Sequence, residues 1–507
     1  MPAQPLIIAE AQVYSGGQPV WRRMANVGYR ATVDGLRVQY EPCIAGPVSI
    51  TTSMGVGAYC ERTRDIFAGG EIKIALNAAL YPWMDDVWIG RPVRILSGAS
   101  DVTPYEDLAV EFVGRVKDLT HDHASASIGF SDIASDLDRA IASQTYPDTA
   151  PEGIRGQPVP WQRGRTFSVE PVLEDAASRI YRVATKSAVT TAVRIGGLPR
   201  VLVPYPEPSN IDQYISLTNE GRFKLGGDVD GDVRADVAAP GWETYSTADL
   251  IAEAVTQAVG VVPLVTDGAA LLVTGDGLLL VSEVEDSASG ALDADAFATL
   301  RASSPWPVGY YARQPVNLLD LLDEAVTGVH GWWTCLRDGR VTVGVLEPPV
   351  TNPARRLDGS SVQSCALTTI IPPCWRVRVE HSRNWSPATS FLPGLEDAAA
   401  RAAQSAEGVV GSPYQTAEPT ISHPTARDLP LIRSLVVNAG HSALVRDRYV
   451  AMWGVERRIY TVTELTNSPL NIDDDVHLVF GAVDRPVKVL SVTHQVGGVE
   501  VTYEVIG

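Results

Sequence analysis

Basic residues are scarce in this 507-residue chain. Lys and Arg number 41 against 60 Asp and Glu, a formal charge of −19 at pH 7. Surfaces that grip phosphate draw on clustered Lys and Arg, so this balance argues against a protein built to hold nucleic acid. It suits plain solubility charge, or a surface past which a polyanion slides without sticking. Cysteine is also sparse: Cys43, Cys60, Cys335, Cys365 and Cys374 are odd in number and widely spaced, with no C-x-x-C pair. That excludes a disulfide framework or structural zinc and predicts buried free thiols in a reducing compartment. No run of 18 apolar residues occurs, and residues 1–10 lack the basic and long apolar regions of a leader, so neither a membrane-spanning helix nor leader-driven secretion is expected.

Catalytic fingerprints are missing as well. There is no G-x-S-x-G, Walker A, H-E-x-x-H or Rossmann glycine pattern, so acyl transfer, nucleotide hydrolysis, zinc proteolysis and dinucleotide chemistry lack their local signatures. His121 and His123, two apart, could share a metal on a strand, but they sit in a Thr/Asp/Ser-rich turn. Asp473, Asp474 and Asp475, ahead of His477, lack the glycine and distal Glu of a calcium loop. Asp228, Asp230 and Asp232 alternate as calcium ligands do, without a downstream bidentate Glu. Solvated turns are the expectation at all three places. No cofactor, metal or catalytic residue is assigned, and the chain is expected not to be an enzyme.

What is present is the makings of substantial cores: 45% of residues are hydrophobic and only 20% charged. The length exceeds what one core usually organises, so about two to four domains are expected. Residues 6–14, 25–32, 37–40 and 48–53 read as strands. Within residues 65–119, the runs 71–76, 91–96 and 109–119 alternate apolar and polar residues between glycine-rich breaks, as strands of an antiparallel sheet do. Ile133, Leu137, Ala140 and Ile141 fall on one helical face, predicting a closing helix over 131–143. These make an N-terminal β-rich domain, 1–145.

A proline-rich linker then leads to a small β-rich domain, 146–240. The next domain, 241–350, reads as α/β. Ser246 and Asp249 have capping-box spacing ahead of an amphipathic helix, and strands with a turn at Gly275-Asp276-Gly277 follow. Residues 316–326 predict a second helix, and Arg337-Asp338-Gly339 turns a hairpin whose first strand holds Trp332 and Trp333. Adjacent strand residues face opposite ways, so at most one of these two is expected in a given core. The last domain, 351–507, is β-rich, with helices expected at 391–407 and 443–455, a mobile loop near 407–428, and strands to the end. The fold class expected is mainly β with α+β insertions, multidomain, with barrel-like or sandwich-like domains at both ends of the chain.

Several stretches, in this order, resemble tail-tip and baseplate hub proteins of long-tailed, non-contractile bacteriophages and related tail-like particles. They are Gly90-Arg91-Pro92-Val93-Arg94-Ile95-Leu96-Ser97-Gly98 with Phe112-Val113-Gly114-Arg115-Val116, Gly164 to Pro171, Ile180-Tyr181-Arg182-Val183, and Gly221 to Gly226 with Gly231 to Val237. The hairpin around Trp332 and Arg383-Asn384-Trp385 continue the series.

The resemblance implies a virion protein at the distal end of the tail, assembled in the bacterial cytoplasm. It implies a ring of identical subunits, a trimer by preference and a hexamer as the alternative, that ends the tail tube. Its neighbours would be a tube or distal tail protein and tip or fibre proteins, with DNA crossing the lumen unbound. The two β-rich ends would supply two tube-like domains per subunit, and the acidic charge would line the channel. The turn at Gly90, Arg91 and Pro92, with Trp88 and Tyr105 beside it, would make subunit contacts. A host-envelope glycan-binding or cell-wall-degrading protein is the alternative, since exposed tryptophans can stack sugars and paired carboxylates can cleave glycans.

Overall fold

The computed structural model describes residues 5–33, 35–62, 68–204, 208, 210–259, 291–416 and 423–507, and the backbone strands 263–266, 269–274 and 277–282. The fold is mainly β, with 45% of residues in strands against 17% in helices.

The largest sheet draws on both ends of the chain. Its order is Val362–Ile371, Arg457–Leu465, Glu500–Ile506, Val483–Gln495, Ser49–Ser53, Ala68–Ala75, Ser125–Ser131, Ala109–His121, Pro92–Gly98, Leu6–Ser15, Gln18–Ala25, Leu36–Pro42 and Tyr29–Val33. The ends meet where Ser49–Ser53 runs antiparallel to Val483–Gln495, with Ser53 opposite Ser491 and Ser49 opposite Gln495. On the N-terminal side the sheet curls on itself. A bridge between Ile44 and Ile74, with Ala45 N–H donating to Lys73 O and Ala75 N–H to Cys43 O, returns the chain to Ala68–Ala75. The enclosed core includes Ile7, Val13, Ile50, Ile72, Trp88, Phe112 and Phe130. On the C-terminal side Asp475–Phe480 pairs with Val483–Gln495 and carries Arg355–Asp358 in parallel, around Leu357, Tyr460, Val476 and Tyr503.

A second sheet, of nine strands, runs from Val172–Asp175 to Gly309–Ala312 through Trp161–Val169, around Tyr214, Phe223 and Val237. Helices fill the space between the sheets. Helix α1 (Ala134–Leu137) is only four residues long, shorter than its apolar spacing predicts, because Ala140–Ile141 leaves the helix to pair with Val316–Asn317. Helix α2 (Thr247–Val259) starts at the expected capping box: Ser246 N–H donates to Asp249 Oδ2 at 2.9 Å while Asp249 N–H reaches back to Ser246 Oγ. Helix α3 (Ala294–Ser303) is capped by Asp293, and α4 (Leu318–Thr327) by Asn317. The Ala-rich α5 (Ala398–Ser405) buries no side chain, whereas α6 (Ala439–Trp453) buries Val445, Tyr449, Met452 and Trp453.

Trp332 and Trp333 are both buried in one cluster, contrary to the alternation argument. The hairpin Gly331–Cys335 with Val341–Val345 is covered on both faces. Trp333 Nε1–H donates to Asp323 Oδ1 on α4, while Trp332 lies over Gly344 and lines a cavity with Thr52 and Val492 of the large sheet. All five cysteines are free, and four are buried. The expected turn at Gly275-Asp276 and part of the expected mobile loop, 417–422, lie outside the described residues.

Candidate assembly surface

Where the two ends meet, strand alternation sorts the side chains cleanly. Ile50, Val492, Val501 and Val462 point into the cores, so their neighbours Thr51, Thr493, Thr502 and Thr463 share the opposite face. Register carries this row on across the sheet: Ser364 opposes Thr463, Thr463 opposes Thr502, Thr502 opposes Thr493, Thr493 opposes Thr51, Thr51 opposes Gly69, Gly69 opposes Ser131 and Ser131 opposes Arg115. Thr51 Oγ1 and Thr493 Oγ1 are 2.8 Å apart, and Thr463 Oγ1 and Thr502 Oγ1 are 3.4 Å apart. The face is therefore hydroxyl-rich, with small, mostly half-buried side chains.

Arg115 closes the row and is already satisfied, with Nε 2.8 Å from Asp136 and Nη1 donating to Gly90 O at 3.1 Å. On the adjoining rows of this face the carboxylates Glu71, Asp118, Glu500 and Glu504 outnumber the bases Lys73 and Lys117. Glycine at 70 and 114 lets the strands cross closely. A Cβ at Gly70 would stand 1.9 Å from Ser49 O, and one at Gly114 2.1 Å from Ser131 O. Beneath the face, Asp132 accepts from Ala68 N–H and Ala134 N–H at 2.6 and 2.8 Å, and burial pushes its carboxyl up to about 7.

The residues singled out for subunit contact lie at both ends of the strand Pro92–Gly98. Trp88 is 1% exposed, packs in the N-terminal core and donates Nε1–H to Trp83 O, and Pro92 is buried too. Gly90 is exposed in a left-handed turn with φ of +76°. Arg91 is half-buried, with its guanidinium carbon 5.5 Å from the Tyr14 ring centre. Tyr105 is half-buried and engaged inside the chain: its hydroxyl donates to Glu10 Oε2 at 3.1 Å and accepts from Arg94, while Tyr40 donates to Glu10 Oε1 at 2.5 Å. Burial beside Glu10 pushes the Tyr105 phenol up. Sequence reasoning missed Tyr14, Val87 and Ile89, all exposed beside Arg91. The alternation of Val87 and Ile89 with the buried Trp88 was the available signal.

In the clusters weighed as metal or catalytic sites, most of the carboxylates have partners of their own. Asp228 pairs with Arg179, and Asp232 with Arg234 and Ser390. Asp473 and Asp475 flank the buried Lys488 ammonium, Asp474 accepts from Asn471 N–H, and His477 bonds Asp484. His121 and His123 are exposed. Among the described residues, no three potential metal ligands converge.

No family model matches the sequence, and no curated protein does. Among solved structures the chain is similar to a 43 kDa tail protein of a Shewanella oneidensis prophage, at 12% identity over 99% of this chain and 98% of that one, with a TM-score of 0.37. It is similar to a tail protein from Neisseria meningitidis, at 9% identity over 98% and 96% of the two chains, with a TM-score of 0.39. A prophage tail protein from Listeria monocytogenes is similar at 8% identity over 99% and 94%, with a TM-score of 0.35.

Proposed function

We propose that the chain is a structural component of a bacteriophage tail, forming a hub ring that ends the tail tube and carries neighbouring tip or fibre proteins. The observation that carries this reading is the single sheet that fuses the two ends of the chain. One face is locked to hydrophobic cores; the other carries Thr51, Thr493, Thr502 and Thr463 and turns to the central core only at its Ile459 and Ile506 end. A wall of that kind suits a channel. Short hydroxyls leave the bore open, their bonds are met by each other and by water, and the surplus of carboxylates repels a passing phosphate backbone.

Two further features support it. The first of the motifs resembling tail-tip proteins, residues 90–98 and 112–116, fall on Pro92–Gly98 and Ala109–His121 of this sheet, and those between 164 and 237 fall on the nine-stranded sheet. Of the carboxylates that first suggested metal or acid–base work, Asp228, Asp232, Asp473, Asp474 and Asp475 are held by neighbouring cations, hydroxyls or backbone N–H groups. In this reading the protein acts by shape and association, with three copies closing the ring through heterologous contacts. It resides in the virion and performs no chemistry.

Purified full-length chain, examined by native mass spectrometry and assayed in parallel on peptidoglycan and glycan arrays, tests this. Closed trimers without wall clearing or sugar binding support the hub. Saturable sugar binding or wall clearing by a monomer supports a glycan-active protein and overturns it.

A further inference from the structure

We propose that the patch formed by Tyr14, Val87, Ile89 and Arg91 is the seat for the Asp101–Val102 corner of a second copy of this chain. This names the contact that closes the ring, and it rests on the ring reading above.

The patch is apolar and open. Tyr14, Val87 and Ile89 are 44%, 56% and 65% exposed, and reciprocal backbone bonds of 3.1 and 3.0 Å hold Tyr14 beside Val87. Ile89 follows in the turn that Arg91 N–H closes onto Trp88 O, and it too is open to solvent. Arg91 lies against the Tyr14 ring, yet among the described residues no carboxylate pairs with it, and its Nε is buried without an acceptor. Its neighbours differ: Arg22 is matched by Asp86, Arg94 by Glu10 and Arg115 by Asp136. An unpaired guanidinium within aromatic and aliphatic surface, on a chain of charge −19, calls for a carboxylate with an apolar neighbour.

The corner at 100–103 supplies that pair. Val102 is 82% exposed, and Asp101 beside it is exposed and, among the described residues, has no ion-pair partner. The corner is held in shape before any contact forms: Thr103 N–H donates to Ser100 O, Ser100 N–H to Thr103 Oγ1, and Tyr29 Oη–H to Thr103 O at 2.8 Å. A corner already rigid loses little freedom on docking.

Geometry requires the two to meet between copies. The strand Pro92–Gly98 separates Arg91 from the corner, a span of about 20 Å at the usual rise per residue. Seat and corner are different surfaces at opposite ends of one strand, so the contact is head-to-tail, the kind that builds rings when the rotation closes.

The test uses the full chain carrying Arg91→Glu, Asp101→Arg, the two together, or Val102→Ser, followed by light scattering at fixed ionic strength and by thermal unfolding. Each single variant is expected to weaken assembly about tenfold or more at an unchanged melting temperature, and the charge-swapped pair to recover to within about threefold of wild type. Should Arg91→Glu fail to fold, Asp101→Arg and Val102→Ser decide alone. Rings that form normally in the single variants, or a double variant as weak as the sum of its parts, overturn the contact and leave the ring reading standing. Wild-type chain that stays monomeric at every concentration overturns the ring and the contact together.

Discussion

Thr51 Oγ1 and Thr493 Oγ1 share a hydrogen bond of 2.8 Å across 442 residues of chain. They mark the seam at which the first strands of the protein and the last become one sheet. The pair is half-buried, and cross-strand pairs of this kind are worth a few tenths to one kcal/mol. A double-mutant cycle of Thr51→Val and Thr493→Val should give a coupling of about 0.5–1 kcal/mol in urea unfolding. Strictly additive losses would show that the two hydroxyls do not act as a pair.

Gly70 stands next to the seam, where an added Cβ would come within 1.9 Å of Ser49 O and 2.7 Å of the Phe130 ring. Backbone cannot yield as a flexible side chain does. Gly70→Ala is expected to destabilise the protein by about 3 kcal/mol. Gly16→Ala, in an open turn, tests only strained φ and should cost less. Equal losses in chemical denaturation would contradict the close-approach account.

Asp132 provides a pH signature. Its folded carboxyl titrates at about 7, raised by burial, against an unfolded value near 4. Between these values the folded state holds a proton that the unfolded state has released. Its contribution to stability is therefore full below about pH 4, falls as pH rises, and is gone above about pH 7. Asp132→Asn should remove this downward slope, and should also cost stability at every pH, because an amide cannot accept from both Ala68 N–H and Ala134 N–H. An unchanged slope would remove Asp132 from the account.

His330 acts in the opposite sense. It is fully buried at φ +60°, accepts from Trp453 Nε1–H at 3.1 Å, and burial pushes its imidazolium down to about 3. The unfolded imidazole takes a proton near pH 6.5, so this contribution is full above about 6.5 and is lost as pH falls toward 3. His330→Asn, which tolerates the left-handed backbone, should flatten the acid limb of the stability curve. Relative to wild type, the Asp132 and His330 variants should tilt the curve in opposite directions between about pH 4 and 6.5.

Local structure was legible in the sequence wherever chemistry is local. The Ser246–Asp249 box, the Asp338-Gly339 hairpin and the hairpin of Asp475–Phe480 with Val483–Gln495 are all set by residues within a few positions of one another. The seam was not legible, because alternation tells which way Thr51 and Thr493 face but not which strand lies beside them. The same limit explains α1, where Ile133, Leu137 and Ile141 recur with helical spacing but Ile141 is taken by the strand at Val316. The surface turn at 87–91 was found from its Gly-Arg-Pro sequence. Trp88 and Pro92 nevertheless turn inward there and Val87 and Ile89 outward, a choice fixed by the core on one side only.

In the proposed assembly the seam forms the inner wall of a ring. Single-particle imaging of the assembled full-length chain, reconstructed without imposed symmetry, tests it most directly. Three copies are expected, with the row from Ser364 through Thr502, Thr493 and Thr51 to Ser131 facing the channel. A stable monomer, six copies, or a ring with that row on its outer surface would contradict it.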